Sequence, residues 1–450
     1  MRLPQKPPVV RGAELADAID ATSRQEVLAV LKHANAEYFH WDELRARPMP
    51  SGFTARQAWG ILKLTRRAER RGIPLVDGRG RSFSYWLPPA ALEILHEVDR
   101  WAGGALAMAG PSSASLQQLR DEVVVSSLME EAIASSQIEG AATTRRVAKE
   151  MLRSKRRPHG RDEQMIVNGY ETIQFLRAAK DKPLSLELLF EIQSRMTRGT
   201  LDDPSGAGRL RTDADHVKVI DVRSDEILFP PPAASQLPER LEKLIAYANA
   251  PSSGEAFVHP LVKAAVLHFW LAYEHAFIDG NGRTARAVFF WFMLKSGYWL
   301  FEYLTVSRAI LKSPAGYYRS FLYSEHDDED VTYSLLYQLD ATKRALADLR
   351  AYLEAKQGER ELLSERLRAI PDANPRQRSL LDRALRNPDS PITFAGHAQT
   401  HGVTLVTARR DVLELLSRKV LREVGTERPR SFLPVEGLRA KLSKAPRLRV

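Results

Sequence analysis

His275-Ala276-Phe277-Ile278-Asp279-Gly280-Asn281-Gly282-Arg283-Thr284-Ala285-Arg286 is the stretch on which the reading of this chain turns. An apolar helical run, His259-Pro260 to Glu274, precedes it, and a second helix, Ala285 to Leu294, is expected after it. Between them, Asp279-Gly280-Asn281-Gly282 forms a glycine-permitted turn that feeds a helix N-terminus. Such a turn aims successive backbone N–H groups outward, and the helix dipole favours an anion there. Arg283 and Arg286 stand three apart, so they share a helical face at that end. Two guanidinium forks over an N–H nest make a polyphosphate cradle. His275 puts a titratable base beside the cradle, and Asp279 offers a hard oxygen for Mg²⁺. Base, metal ligand, anion nest and two arginines so close together describe phosphoryl or nucleotidyl transfer.

The rest of the chain sets the frame. Its 450 residues predict two or three domains, and 44% hydrophobic with 27% charged residues suits folded cores. No cysteine is present, which excludes disulfides, thiolate zinc sites and cysteine nucleophiles and suits a reducing cytoplasm. Met1 to Val10 lacks the apolar core of a leader, and no apolar run approaches membrane-spanning length. A soluble cytoplasmic protein is expected. The net charge of +10 invites a nucleic-acid reading, although the charge reads as diffuse.

An N-terminal module, 1–105, is expected to hold helices at Ser23 to Ala34 and Thr54 to Arg71, then a hairpin across Pro74 to Trp86 around Asp77-Gly78. Lys63, Arg66, Arg67, Arg70 and Arg71 read as a solvated basic face. Gly103-Gly104 to Ser113-Ser115 reads as a linker. A helical core follows over 106–355, broken by an exposed hairpin from Val217 to Phe229 that ends at Pro230-Pro231-Pro232. After a charged helix, Ala341 to Arg368, the run Ile370 to Pro375 marks a boundary. Residues 371–436 then have the order of a winged helix-turn-helix. Helices are expected at Arg378 to Leu385, Phe394 to Gln399 and after an N-cap at Thr404, with a wing tip at Gly425 to Arg430. A basic tail, 437–450, closes the chain.

The central motif resembles that of the Fic family, His-x-Phe-x-Asp/Glu-Gly-Asn-Gly-Arg-x-x-Arg, with Ala276 where proline is usual. The likeness extends over about Leu116 to Leu353. It implies a mainly α fold, a helical core with a β-hairpin flap, and Mg²⁺-dependent transfer of AMP from ATP to a Tyr, Thr or Ser hydroxyl, with pyrophosphate leaving. By the resemblance, His275 takes the hydroxyl proton, Asp279 binds the metal, and Gly280, Asn281 and Gly282 hold the α-phosphate. Arg283 and Arg286 hold the outer phosphates, and Tyr318 stands near the adenine. Gly208-Arg209-Leu210-Arg211 with Val217, Lys218, Val219 and Ile220 resembles the flap that clamps target backbone by strand addition. A second motif, Ser135-Ser136-Gln137-Ile138-Glu139-Gly140, resembles the family's inhibitory helix, here on the N-terminal side of the core (119–140). The expectation is that Glu139 clasps Arg286 with both oxygens and denies it to the γ-phosphate.

Two other outputs fit the same residues: a DNA-binding regulator whose core is vestigial, or a deAMPylase in which Glu139 positions water. The partners expected are ATP, a target protein or a second copy of this chain as substrate or dimer mate, and DNA or protein at the C-terminal module. No membrane partner is expected.

Overall fold

The computed structural model describes residues 3–101, 114–221, 226–254, 257–368, 373–386, 390–424 and 430–438. Most of the linker at 103–115, part of the boundary at 370–375, most of the wing tip and most of the basic tail therefore lie outside the described residues. The chain forms two compact units, Met1–Asp348 and Leu349–Val450.

The first unit begins with α1 (Ala13–Ala21), α2 (Gln25–Ala36), α3 (Trp41–Leu44) and α4 (Ala55–Glu69). Thr54 caps α4 and Gln57 reaches back to the cap, a reciprocal pair that fixes where the helix starts. Strands β1 (Arg71–Val76) and β2 (Ser82–Tyr85) form the expected antiparallel hairpin, and α5 (Pro89–Arg100) follows. The Asp77 carboxylate accepts from the N–H groups of Arg79 and Arg81 and holds the turn.

These elements are docked on the helical body. Ser84 donates its N–H to Glu329 and accepts from Val331, and the Tyr38 hydroxyl donates to Asp330 at 2.7 Å. The basic face expected to be solvated is partly consumed here. Arg66 is fully buried and donates to the Phe39 and Ala34 carbonyls, while Lys63 and Arg70 pair with Asp327 and Asp330. Buried charges survive only when paired and hydrogen-bonded, and the acidic run Asp327 to Asp330 supplies the partners.

The body comprises α6 (Ala114–Ile138), α7 (Arg145–Ser154), α8 (Gly160–Ala178), α9 (Leu186–Thr197), β3 (Val219–Asp221), β4 (Glu226–Phe229), α10 (Leu237–Asn249), α11 (Pro260–Glu274), α12 (Asn281–Lys295), α13 (Val306–Leu311), α14 (Pro314–His326) and α15 (Thr332–Arg368), the last spanning the boundary between the units. Helices α11 and α12 form its centre, with Phe269, Trp270 and Trp291 at most 1% exposed. Burying each such side chain stabilises the fold by roughly 1.5–3 kcal/mol, which makes the junction between these helices a rigid place to mount chemistry.

The second unit holds α16 (Pro375–Arg386), β5 (Ile392–Thr393), α17 (Phe394–His401), α18 (Leu405–Ser417), β6 (Leu421–Val424) and β7 (Ser431–Pro434). Its sheet runs in the order β5-β7-β6, with Glu423 opposite Phe432. Among the described residues no helix is long and apolar enough to cross a membrane.

Candidate active site

The α11–α12 junction is built by opposed backbone constraints. Helix α11 stops because His275 takes a left-handed conformation, φ 45°, and Gly280 does the same at φ 80° just before α12. At Gly280 the positive φ is coupled to a close approach: a Cβ would stand 2.7 Å from Thr197 Cγ2. Helix α12 begins at Asn281, four residues earlier than the sequence suggested. The extra turn is held by the Asn281 amide, which accepts from the Phe277 N–H at 2.9 Å and donates to the Phe277 carbonyl at 2.8 Å. Both polar ends of this buried side chain are thus occupied by the loop. Phe277 itself is fully buried.

Residues far along the chain clamp the same loop. Gln193 on α9, fully buried, donates to the Asp279 carbonyl at 3.1 Å and accepts from the Gly208 N–H at 2.6 Å. Arg211 donates to the His275 carbonyl at 2.8 Å and also to the Pro232 carbonyl, while its own N–H donates to the Ala276 carbonyl. One side chain therefore ties the end of the β3–β4 hairpin to the histidine. The Glu274 carboxylate is held by Arg240 at 2.6 Å and by the Trp270 indole at 2.9 Å. Local motif reading missed Gln193 and Arg240. Their only signal was a polar residue inside an amphipathic helix, which is commonplace.

His275 is half-buried, and burial pushes its imidazole below the usual histidine range; the nearby Glu139 carboxylate partly offsets this. The Asp279 side chain is 35% exposed, with Oδ2 3.3 Å from Arg283 Nη2 and 3.4 Å from Arg161 Nη2. Arg283 is buried and donates to the Met196 carbonyl at 2.8 Å.

Glu139 lies just past the end of α6, which terminates because Gly140 takes φ 95°. Its Oε1 accepts from Arg286 Nη2 at 2.9 Å. The expected two-oxygen clasp is instead a single contact. Ser135 holds part of the fork as well: its hydroxyl accepts from Nε and its carbonyl shares Nη2 with Glu139, each at 2.9 Å, while among the described residues Nη1 has no hydrogen-bond partner. Arg286 is 5% exposed, so the pair is sheltered from solvent screening on one side. Gly282 makes the space, since a Cβ there would stand 2.2 Å from Glu139 Oε1. Tyr318, expected near an adenine, donates its hydroxyl to the Ile138 carbonyl at 3.1 Å, at the end of the same helix. His275, Asp279, Gly280, Gly282, Arg283, Arg286, Ser135, Glu139 and Tyr318 thus converge around the start of α12.

The β3–β4 hairpin pairs Val219 with Phe229 and Ile220 with Ile227, and among the described residues neither strand has another partner. Each strand keeps an open edge. Phe229 packs on Tyr273, two residues before His275, with ring centroids 4.8 Å apart. Val217 and Val219 are half-buried and Lys218 is exposed.

Comparison with known proteins agrees with this architecture. Residues 183–293 match the model of the Fic/DOC family. The chain is 30% identical over 115 residues to protein adenylyltransferase fic-1 of Caenorhabditis elegans, which covers 26% of this chain and 20% of that protein. It is 28% identical over 172 residues to protein adenylyltransferase Fic of Nematostella vectensis, covering 36% of this chain and 37% of the relative. The chain thus spans well under half the length of these relatives. A crystal structure of a Fic family protein from Desulfovibrio desulfuricans superposes with a TM-score of 0.52 at 19% identity, over 78% of this chain and 98% of that one.

Proposed function

This chain belongs to the Fic/DOC family, and on that premise we propose that it is a protein adenylyltransferase held inactive by Glu139. It moves AMP from ATP to a Tyr, Thr or Ser hydroxyl of a target protein or of itself. The hydroxyl oxygen attacks the α-phosphorus, the bond to the bridging oxygen of the β-phosphate breaks, and pyrophosphate leaves. The hydroxyl proton passes to His275, which burial keeps neutral and therefore able to accept it. The backbone N–H groups of Asn281 and Gly282 face the α-phosphate at the positive end of α12, while that of Gly280 donates to Asp279 Oδ1. Asn281 works through Phe277, holding the loop in shape.

Arg283 and Arg286 receive the outer phosphates once Glu139 has left. Tyr318 borders the nucleoside side of the site. Asp279 suits Mg²⁺: it is a hard carboxylate, partly exposed, beside a phosphate nest, and this ion is commonly held by one or two carboxylates with the substrate's own phosphates. When bound, the ion would neutralise phosphate charge. The open hairpin edge at Val217 to Ile220 supports target binding by strand addition.

The observation that carries the proposal is the seat of the Glu139 carboxylate: a partly exposed anion paired with the buried Arg286, above Gly282, at a helix N-terminus. An anion-binding site closed by the chain's own anion is a phosphate site under restraint. The test is incubation of the purified protein with α-labelled ATP and cell lysate. Label should enter protein, more strongly for Glu139→Gly. Label absent from protein in both samples would defeat the assignment.

A further inference from the structure

Helix α18 carries an exposed face for which the transfer chemistry has no use. In the second unit α17 ends at Gly402, with φ 60°, and a short turn leads to Thr404, whose side chain caps α18 through the Thr407 N–H. One side of α18 is buried through Ala408, Val412 and Leu415. The other presents Leu405 and Val406, 60% and 79% exposed, and then Arg409 and Arg410. Both arginines are exposed and enter no ion pair among the described residues.

The chain's net charge also lies toward its C-terminal end, with five of the positive residues, Arg439, Lys441, Lys444, Arg447 and Arg449, in the tail that follows this module. Residues 371–450 contain 16 Lys and Arg against 8 Asp and Glu, a surplus of 8 out of the total of +10. Residues 1–370 are close to balance, with 50 against 48. The diffuse distribution expected earlier is therefore corrected by counting each part separately.

We propose that this unit binds double-stranded DNA, with the first two turns of α18 in the major groove. That groove is about 12 Å wide and admits one α-helix. Two helices joined by a tight turn present the N-terminal residues of the second to base edges. Thr404, Thr407, Arg409 and Arg410 supply donors to phosphates or to guanine, and the positive end of α18 adds to them. Leu405 and Val406 supply apolar contact of the kind a thymine methyl accepts. A neutral protein groove would use the two apolar side chains and leave the two exposed arginines unanswered. A phosphate backbone uses all of them.

The test uses the full chain and a labelled random-sequence duplex a few helical turns long, titrated by fluorescence anisotropy across a salt series. Affinity should fall steeply with salt. Arg409→Ala/Arg410→Ala should weaken duplex binding ~tenfold or more and flatten the salt dependence. Both side chains are exposed, and circular dichroism confirms that the variant stays folded. Leu405→Ala/Val406→Ala should leave the salt dependence intact and narrow the spread of affinities among duplexes of different sequence. The proposal is overturned by absence of duplex binding at low salt, by equal affinity for a single strand of the same length, or by an arginine variant that binds like the parent. Capture of a protein through Leu405 and Val406 without duplex binding overturns it as well.

Discussion

The carboxylate of Glu139 fills the space that a side chain on Gly282 would need: a Cβ there would lie 2.2 Å from Oε1 and 3.1 Å from Arg286 Nη1. The residue that closes the site and the glycine that opens it are thus coupled by contact. Because Gly282 is in the first turn of α12 and carries no positive φ, its lack of a side chain answers to this space rather than to backbone strain.

That coupling is measurable without any substrate. Gly282→Ala should destabilise the parent protein, because the methyl group and the carboxylate cannot share the site. In Glu139→Gly the same substitution should be neutral or stabilise by up to ~1 kcal/mol, the ordinary gain of Ala over Gly in a helix. Thermal or urea unfolding of the four proteins gives the interaction energy. Equal effects of Gly282→Ala in the two backgrounds would show that the carboxylate is seated elsewhere in solution.

Glu139→Gly should raise AMP transfer by releasing Arg286, with the gain in turnover rather than in ATP affinity, since the α12 nest still binds nucleotide. Adding Arg286→Ala should return the activated protein to low activity. Pyrophosphate release and intact mass report both. A parent protein already as fast as Glu139→Gly would remove the inhibitory role. Loss of AMP removal from a modified target in that variant would indicate the reverse reaction.

The pH profile follows from His275. Burial lowers its pKa, so the neutral base persists to more acidic pH than an exposed histidine would allow. Activity requires the neutral form and is lost as pH falls through the lowered pKa. The kcat/KM of Glu139→Gly should therefore stay level through neutrality and fall only below about pH 6.5, the usual histidine value. Loss of the Glu139 charge, which favours the imidazolium, moves that limb further toward acid. An acid limb centred above neutrality would contradict this environment. His275→Ala should cost ~10²–10⁴ in rate while nucleotide binding survives.

The hairpin should matter to the target and little to ATP. Val219→Asp in the Glu139→Gly background should raise the KM for the target several-fold and leave the KM for ATP close to its parent value. Weakened nucleotide binding with an unchanged target KM would tie the hairpin to the phosphates instead. Arg211 gives a route by which the hairpin also touches turnover, since it bonds both Pro232 and the His275 carbonyl.

The sequence alone determined the elements and the chemical inventory. The apolar run after Pro260 marked α11, glycines marked the turn at Asp279 to Gly282, and the cap at Thr404 placed the start of α18. These are local: each depends on residues within a turn or two, so pattern reveals them. The residues 275 to 286 also announced an anion site, because the nest, the base and the arginines are neighbours in the chain. Tertiary structure decided what each group does there. Asn281 spends its amide on Phe277, Arg283 spends one nitrogen on Met196, and Ser135 takes the part of Arg286 that Glu139 was expected to hold. Gln193 and Arg211 reach the loop from 86 and 64 residues away in sequence. A side chain with several donors or acceptors has more candidate partners than a sequence can rank. Burial settles the choice, because each polar atom taken out of water must find whichever partner the fold has brought within about 3 Å.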